Sequence, residues 1–61
     1  MIEKMTTERE QIWVSLDTGE VAETHDEAMA LYRDGHELQI QYRYAYNGMW
    51  GEWNYGPQWV H

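Results

Sequence analysis

Sixty-one residues with no cysteine and a formal net charge of −7 allow one domain, residues 1–61, and exclude disulfides, thiol chemistry and any thiolate metal site. No apolar run approaches the roughly 20 residues needed to cross a bilayer, and MIEKMTTERE lacks the apolar stretch of a secretory signal, so the expectation is a cytoplasmic protein with no membrane partner. A domain this small hides only about 60% of its unfolded surface, so large aromatic side chains or a second copy of the chain must supply much of its stability.

The charge is unevenly spread. Residues 1–16 carry Glu3, Glu8 and Glu10 against Lys4 and Arg9; residues 38–61 carry only Arg43 and Glu52. The middle, 17–37, holds seven carboxylates against Arg33. A field of one sign attracts partners of the other and repels nucleic acid. The aromatics are skewed the other way: seven of the nine lie between Tyr42 and Trp59.

In chain order, residues 1–9 are polar and expected to fray. Thr7 and Glu10 match a capping box, but the alternation that follows argues for a strand. IWVSL places Ile12, Val14 and Leu16 on one face and Trp13 and Ser15 on the other. Asp17-Thr18-Gly19 reads as a tight turn into a short return strand, 20–23. Thr24 with Glu27 three residues on forms a capping box. Asp26 and Glu27 suit the positive end of a helix dipole. Ala28, Met29, Leu31 and Tyr32 cluster on one side of that helix, and Gly35 is a natural stop.

ELQIQYRYAY, 37–46, alternates most clearly. Leu38, Ile40, Tyr42, Tyr44 and Tyr46 share one face of a long strand. Asn47-Gly48 is a two-residue hairpin turn. Met49–Tyr55 would return as the last strand, with Gly51 at a bulge; Gly56-Pro57 would end it, leaving 56–61 as a C-terminal tail with Trp59 tucked against the sheet. The order is β-β-α-β-β, an α+β fold: a small antiparallel sheet with one short helix packed on one face. One short helix is too small to cover nine aromatics, so Trp13 and some of the C-terminal tryptophans are expected on the open face.

Catalytic patterns are thin. Asp17-Thr18-Gly19 is also the triplet of aspartic proteases, but those sites need two such aspartates sharing a proton, and Glu20 replaces the small residue that usually follows. His25, His36 and His61 match no metal-ligand spacing. Ser15 is the only serine and lies within a strand. The expectation is no enzyme activity, no catalytic residues, no metal and no cofactor.

Tyr42, Tyr44, Trp50, Trp53 and Tyr55 resemble a stacking platform, yet direct nucleic-acid binding needs cations to neutralise phosphates, and this half of the chain offers only Arg43. A neutral flat ligand such as a sugar needs none. Protein binding accounts for more of the chain, since interface hot spots favour Trp, Tyr and Arg. Trp13, Tyr44, Trp50, Trp53, Tyr55 and Trp59 are the candidate anchors. Asp17, Glu20, Glu23, Asp26, Glu27 and Asp34 would steer a partner that carries a basic patch.

In size and charge, though by no motif, the chain is similar to the small inhibitors that phages make against host enzymes. That likeness implies occupation of a basic, nucleic-acid-binding surface of a host protein in the host cytoplasm. The competing accounts are a neutral-ligand platform and a homodimeric structural module, in which a symmetry mate buries the aromatics.

Overall fold

The alternating stripe of 38–46 sets the architecture. β3 (Leu38–Tyr46) is the central strand of an antiparallel sheet, paired along its whole length with β1 (Thr7–Ser15), from Thr7↔Tyr46 to Ser15↔Leu38. The computed structural model describes residues 6–61. β2 (Val21–Ala22) flanks the far end of β1, with Trp13↔Ala22 and Val14↔Val21 opposite each other. β4 (Met49–Trp50) and β5 (Asn54–Trp59) lie end to end along the other side of β3. One helix, α1 (His25–Arg33), joins β2 to β3. The molecule is about 52 Å long and 20 by 16 Å across. No helix among the described residues is long and apolar enough to cross a membrane.

Local chemistry explains the connections. The Glu27 N–H donates to Thr24 Oγ1 at 3.2 Å, and the Glu27 carboxylate reaches back to the Glu23 N–H at 3.4 Å, a capping box whose second arm is displaced by one residue. The helix ends at Asp34 and Gly35, whose φ of +98° only glycine adopts without strain. Asn47 and Gly48 both have positive φ, +53° and +84°, the conformation that matches a two-residue turn to strand twist.

The α+β fold with its helix on one face is as the pattern indicates; the expected last strand, 49–55, is instead two, β4 and β5, interrupted at 51–53, so the order is β-β-α-β-β-β, and three further details differ. The first concerns residues 7–9, expected to fray: they belong to β1, and Thr6 is tied to the distal hairpin through Asn47 N–H to Thr6 O at 3.0 Å. The rest of the expected frayed segment, 1–5, lies outside the described residues.

The second concerns 56–61. These residues are not a tail, because β5 runs through Gly56 and Pro57 to Trp59. The proline is tolerated because the outer side of β5 is a sheet edge that needs no donor. Gly56 sits so close to β3 that a Cβ there would lie 3.2 Å from Ile40 Cγ2. Val60 and His61 are fastened to the helix: Tyr32 Oη donates to the Val60 carbonyl at 2.6 Å, and the His61 ring stacks on Tyr32 at 4.2 Å.

The third concerns Trp13, expected on the open face. It is 7% exposed and central to the core, with Ala22, Ala28 and Leu38 fully buried around it and Leu31, Tyr32, Ile40 and Trp59 packed against them. Pairing with β3 decides the matter. Trp13 stands opposite Ile40, so it shares a face with the Leu38–Tyr46 stripe. That is the face the helix covers. Ile12, Val14 and Leu16 therefore project to the other side, and Leu16 is 51% exposed.

Candidate functional site

A nine-residue helix rises about 13.5 Å along its axis, so it covers one end of a sheet in a molecule 52 Å long. Beyond it, no helix among the described residues lies on either face of the ribbon formed by the hairpin end of β1, β3 and β4. Here the aromatics are used differently from those in the core, because they stack on arginines.

On the helix face past the end of α1, the Arg9 guanidinium lies 5.2 Å from the Tyr42 ring centre and 6.0 Å from that of Tyr44, and the two rings meet edge to face at 5.9 Å. On the open face, Arg43 lies 4.6 Å from Trp50 and 4.5 Å from Trp53. The same guanidinium donates through Nη2 and Nε to Glu10 Oε2, at 3.0 and 3.3 Å. Glu10 stands directly across from Arg43 in the β1–β3 register. The ion pair thus helps hold the guanidinium over both indoles, within cation–π range of each.

Two register shifts in the returning chain assemble this open face. Trp50 opposes Ala45, but Asn54 opposes Tyr42, so one extra residue is inserted between them, around Gly51–Trp53. A second shift falls opposite Gln39–Gln41, at Gly56-Pro57. Each insertion turns the following residues to the other face. The first leaves Tyr55 on the open side, opposite Gln41; the second turns Trp59 to the helix side, opposite Leu38.

The six candidate anchors therefore divide. Trp50, Trp53 and Tyr55 share the open face, with Trp50 41% and Tyr55 70% exposed. Tyr44 faces the other way, in the Arg9 stack. Trp13 and Trp59 face each other in the core at 5.9 Å, with His25 edge-on to both. Sequence reasoning missed Arg9 and the pairing of Arg43 with Glu10. The signal was the position of each arginine on a strand flanked by aromatics, but pairing a strand residue with its stack requires the register. The six acidic candidates lie together around the helix-bearing end: Asp17 and Glu20 in the β1–β2 turn, Glu23 before α1, Asp26 and Glu27 in its first turn and Asp34 at its C-cap.

Ser15, His36 and Asp17 also converge. Ser15 Oγ lies 3.4 Å from His36 Nδ1, and Asp17 Oδ2 lies 3.6 Å from the same nitrogen. A catalytic triad uses the two ring nitrogens separately, one toward the nucleophile and one toward the carboxylate. Here both contacts fall on Nδ1, and Ser15 Oγ is occupied as acceptor for the Asp17 and Thr18 N–H groups, at 3.3 and 3.2 Å. Buried at 2% exposure, this serine staples the Asp17-Thr18-Gly19 turn. Among the described residues, no three metal-ligating side chains gather.

The Arg43 stack yields a direct test. Two cation–π contacts contribute roughly 0.5–1 kcal/mol each at exposed sites, and an exposed ion pair roughly 0.2–1 kcal/mol. Arg43→Ala is expected to cost about 1–3 kcal/mol, felt locally. The Gly51 amide, which donates to the Tyr44 carbonyl at 2.8 Å, should exchange with solvent faster, while core amides change little. Arg43→Lys should keep the attraction to Glu10 and lose most of the stacking. Wild-type exchange at Gly51 in Arg43→Lys would mean that the guanidinium stack contributes nothing.

No protein-family model matches the chain, and no curated protein or solved structure is significantly similar to it.

Proposed function

We propose that this chain is a small acidic protein-binding module, which docks through its open sheet face onto a partner with a basic surface. One observation carries the reading. The helix covers only one end of one face, and the opposite face presents Trp50 and Trp53 against Arg43, with Tyr55 opposite Gln41 and Ile12, Val14 and Leu16 on the same side. Aromatic and arginine side chains are the composition of interface hot spots, and the Arg43 stack on Trp50 and Trp53 is formed before binding, which leaves less rotamer freedom to be lost. The carboxylates at the helix-bearing end supply the long-range attraction. Such a module acts by occupying the partner's surface, as an inhibitor of a nucleic-acid-binding protein would.

The platform for a neutral flat ligand is the weaker reading, because the Arg43 guanidinium already lies against the indoles of Trp50 and Trp53. Direct nucleic-acid binding is weaker again, since that guanidinium is committed to Glu10. A homodimer that buries the open face is the structural rival. Sedimentation across a wide concentration range separates the two, with a monomer expected.

The deciding experiment captures the partner with the wild-type chain and measures association with that purified partner. Glu20→Lys with Glu27→Lys should slow association by about tenfold or more at low salt and flatten its salt dependence. Trp50→Ala with Tyr55→Ala should instead speed dissociation. Wild-type kinetics in both double variants would overturn the reading.

A further inference from the structure

The edge of the sheet beside the helix holds a groove of about 260 Å³, lined in part by residues already described, Ala22 and Leu31 of the core and Glu27 of the capping box. Its floor is apolar: Val21 and Ala22 from β2, Ala30 and Leu31 from α1. Its rim is acidic: Glu20 on the strand side, Glu27 and Asp34 on the helix side. Glu27, Ala30 and Leu31 of the helix and Asp34 at its C-cap follow the i, i+3, i+4, i+7 spacing of a single stripe, so Glu27 and Asp34 bracket the two apolar residues. Among the described residues, no cation lies within ion-pair distance of Glu20, Glu27 or Asp34.

The strand wall adds a second feature. The Ser15 N–H donates to the Glu20 carbonyl at 2.8 Å, while the Ser15 carbonyl accepts from the Gly19 N–H at 2.9 Å, so Ser15 and Glu20 occupy the hydrogen-bonding position that closes the β1–β2 ladder through a single bond. Such positions alternate with non-hydrogen-bonded ones. Val21, opposite Val14, therefore turns its own N–H and C=O outward, away from β1 and toward the free edge. An extended segment laid along this edge finds one donor and one acceptor in place.

From this geometry we infer that the groove takes a lysine or arginine side chain presented by an extended segment of a partner protein. The occupant must be apolar along its length and cationic at its tip, which describes the stem and head of these two side chains. The stem lies over Ala30 and Leu31 and the head reaches the rim carboxylates. A compact metal ion fits poorly: Glu27 and Asp34 are seven residues apart, about 10 Å along the helix axis, and the floor between them has no oxygen ligand from a side chain. This inference rests on the reading of a basic partner and assigns the contact that would hold one of its basic residues.

The test is a two-dimensional amide NMR titration of the ¹⁵N-labelled chain with acetyl-Thr-Arg-Thr-Arg-Thr-amide and with its Gln counterpart. Saturable shifts centred on Val21, Ala22, Ala30 and Leu31 are expected with the arginine peptide, and binding weaker by roughly tenfold with the glutamine one. Ala30→Arg places the chain's own guanidinium in the groove, at an exposed helical position, and should abolish the shifts. Glu27→Gln with Asp34→Asn, in which Gln can still serve the capping box, should weaken binding by roughly threefold to tenfold.

Shifts that spread over Asp17, Glu23 and Asp26 without saturating, and that persist in Ala30→Arg, would overturn the inference; so would the absence of shifts with either peptide. The broader reading is judged separately. If Ala30→Arg associates with the captured partner as wild type does, while Glu20→Lys with Glu27→Lys is slowed, the groove assignment fails and the charge-steered binding stands.

Discussion

Trp13→Ala is expected to remove most of the stability of this domain. Truncating a buried tryptophan costs about 3–5 kcal/mol, because the transfer energy of the ring is lost and a cavity is left. A chain of 61 residues has only about 3–9 kcal/mol in total at the usual stability per residue. Trp13 is the largest side chain of the buried core, and its neighbours Ala22 and Ala28 are too small to collapse into the space it would leave. Urea denaturation followed by far-ultraviolet circular dichroism should show Trp13→Ala unfolded, or unfolding at the lowest urea concentrations.

Trp50→Ala, on the open face, should lose about 1 kcal/mol, the scale of its cation–π contact with Arg43. Equal losses in the two variants would show that the faces of the sheet have been assigned the wrong way round. Trp13→Phe refines the test. The indole Nε1–H is buried with no hydrogen-bond partner among the described residues, so replacing it forfeits no hydrogen bond seen there. Trp13→Phe should cost far less than Trp13→Ala, and the difference measures how much of the contribution is ring volume.

Leu38→Ala should be the next most damaging change, at about 2–5 kcal/mol. Leu38 is fully buried where β1, β3 and β5 meet under the helix, opposite both Ser15 and Trp59. Its partner in the comparison is Leu16, 51% exposed, where truncation should cost within about 0.5 kcal/mol. Both are leucines close to the ends of paired strands, so propensity differs little between the sites and the contrast isolates burial. Urea midpoints with unchanged slopes would give both values directly. A loss at Leu16 as large as that at Leu38 would mean the Ile12–Val14–Leu16 face is the packed one.

Much of the fold is legible in particular residues. The Thr24–Glu27 box starts the helix one residue later, and Gly35 follows its end, because capping is local chemistry that needs no tertiary partner. Asn47-Gly48 marks the distal hairpin for the same reason: both residues tolerate positive φ. The five-membered stripe from Leu38 to Tyr46 identifies the central strand, since period-2 alternation reports a half-buried sheet face.

The binding candidates were less legible. Trp50, Trp53 and Tyr55 could be listed from composition, but Trp13 and Trp59 have the same composition and lie in the core. Nothing local to a tryptophan distinguishes an anchor from a core residue. The bulges at Gly51–Trp53 and Gly56-Pro57 invert the count of faces twice, and only Gly51 was recognisable as a place where one could occur.

By itself, then, the sequence determined the first four elements in order, the turns at 17–19 and 47–48, the absence of disulfides and the division into an acidic middle and an aromatic end. These follow from short-range sterics, capping and counting. The single last strand it indicated, 49–55, is two strands, β4 and β5. Only the tertiary structure decided which of the two β1 faces is buried, because that depends on Trp13 lying opposite Ile40, twenty-seven residues away in the chain. It also decided that β5 continues past Pro57, which a free sheet edge permits, and that Arg9 and Arg43 pair with aromatics. Each of these is a matter of register between distant strands, and register is set by packing the whole sheet under one helix.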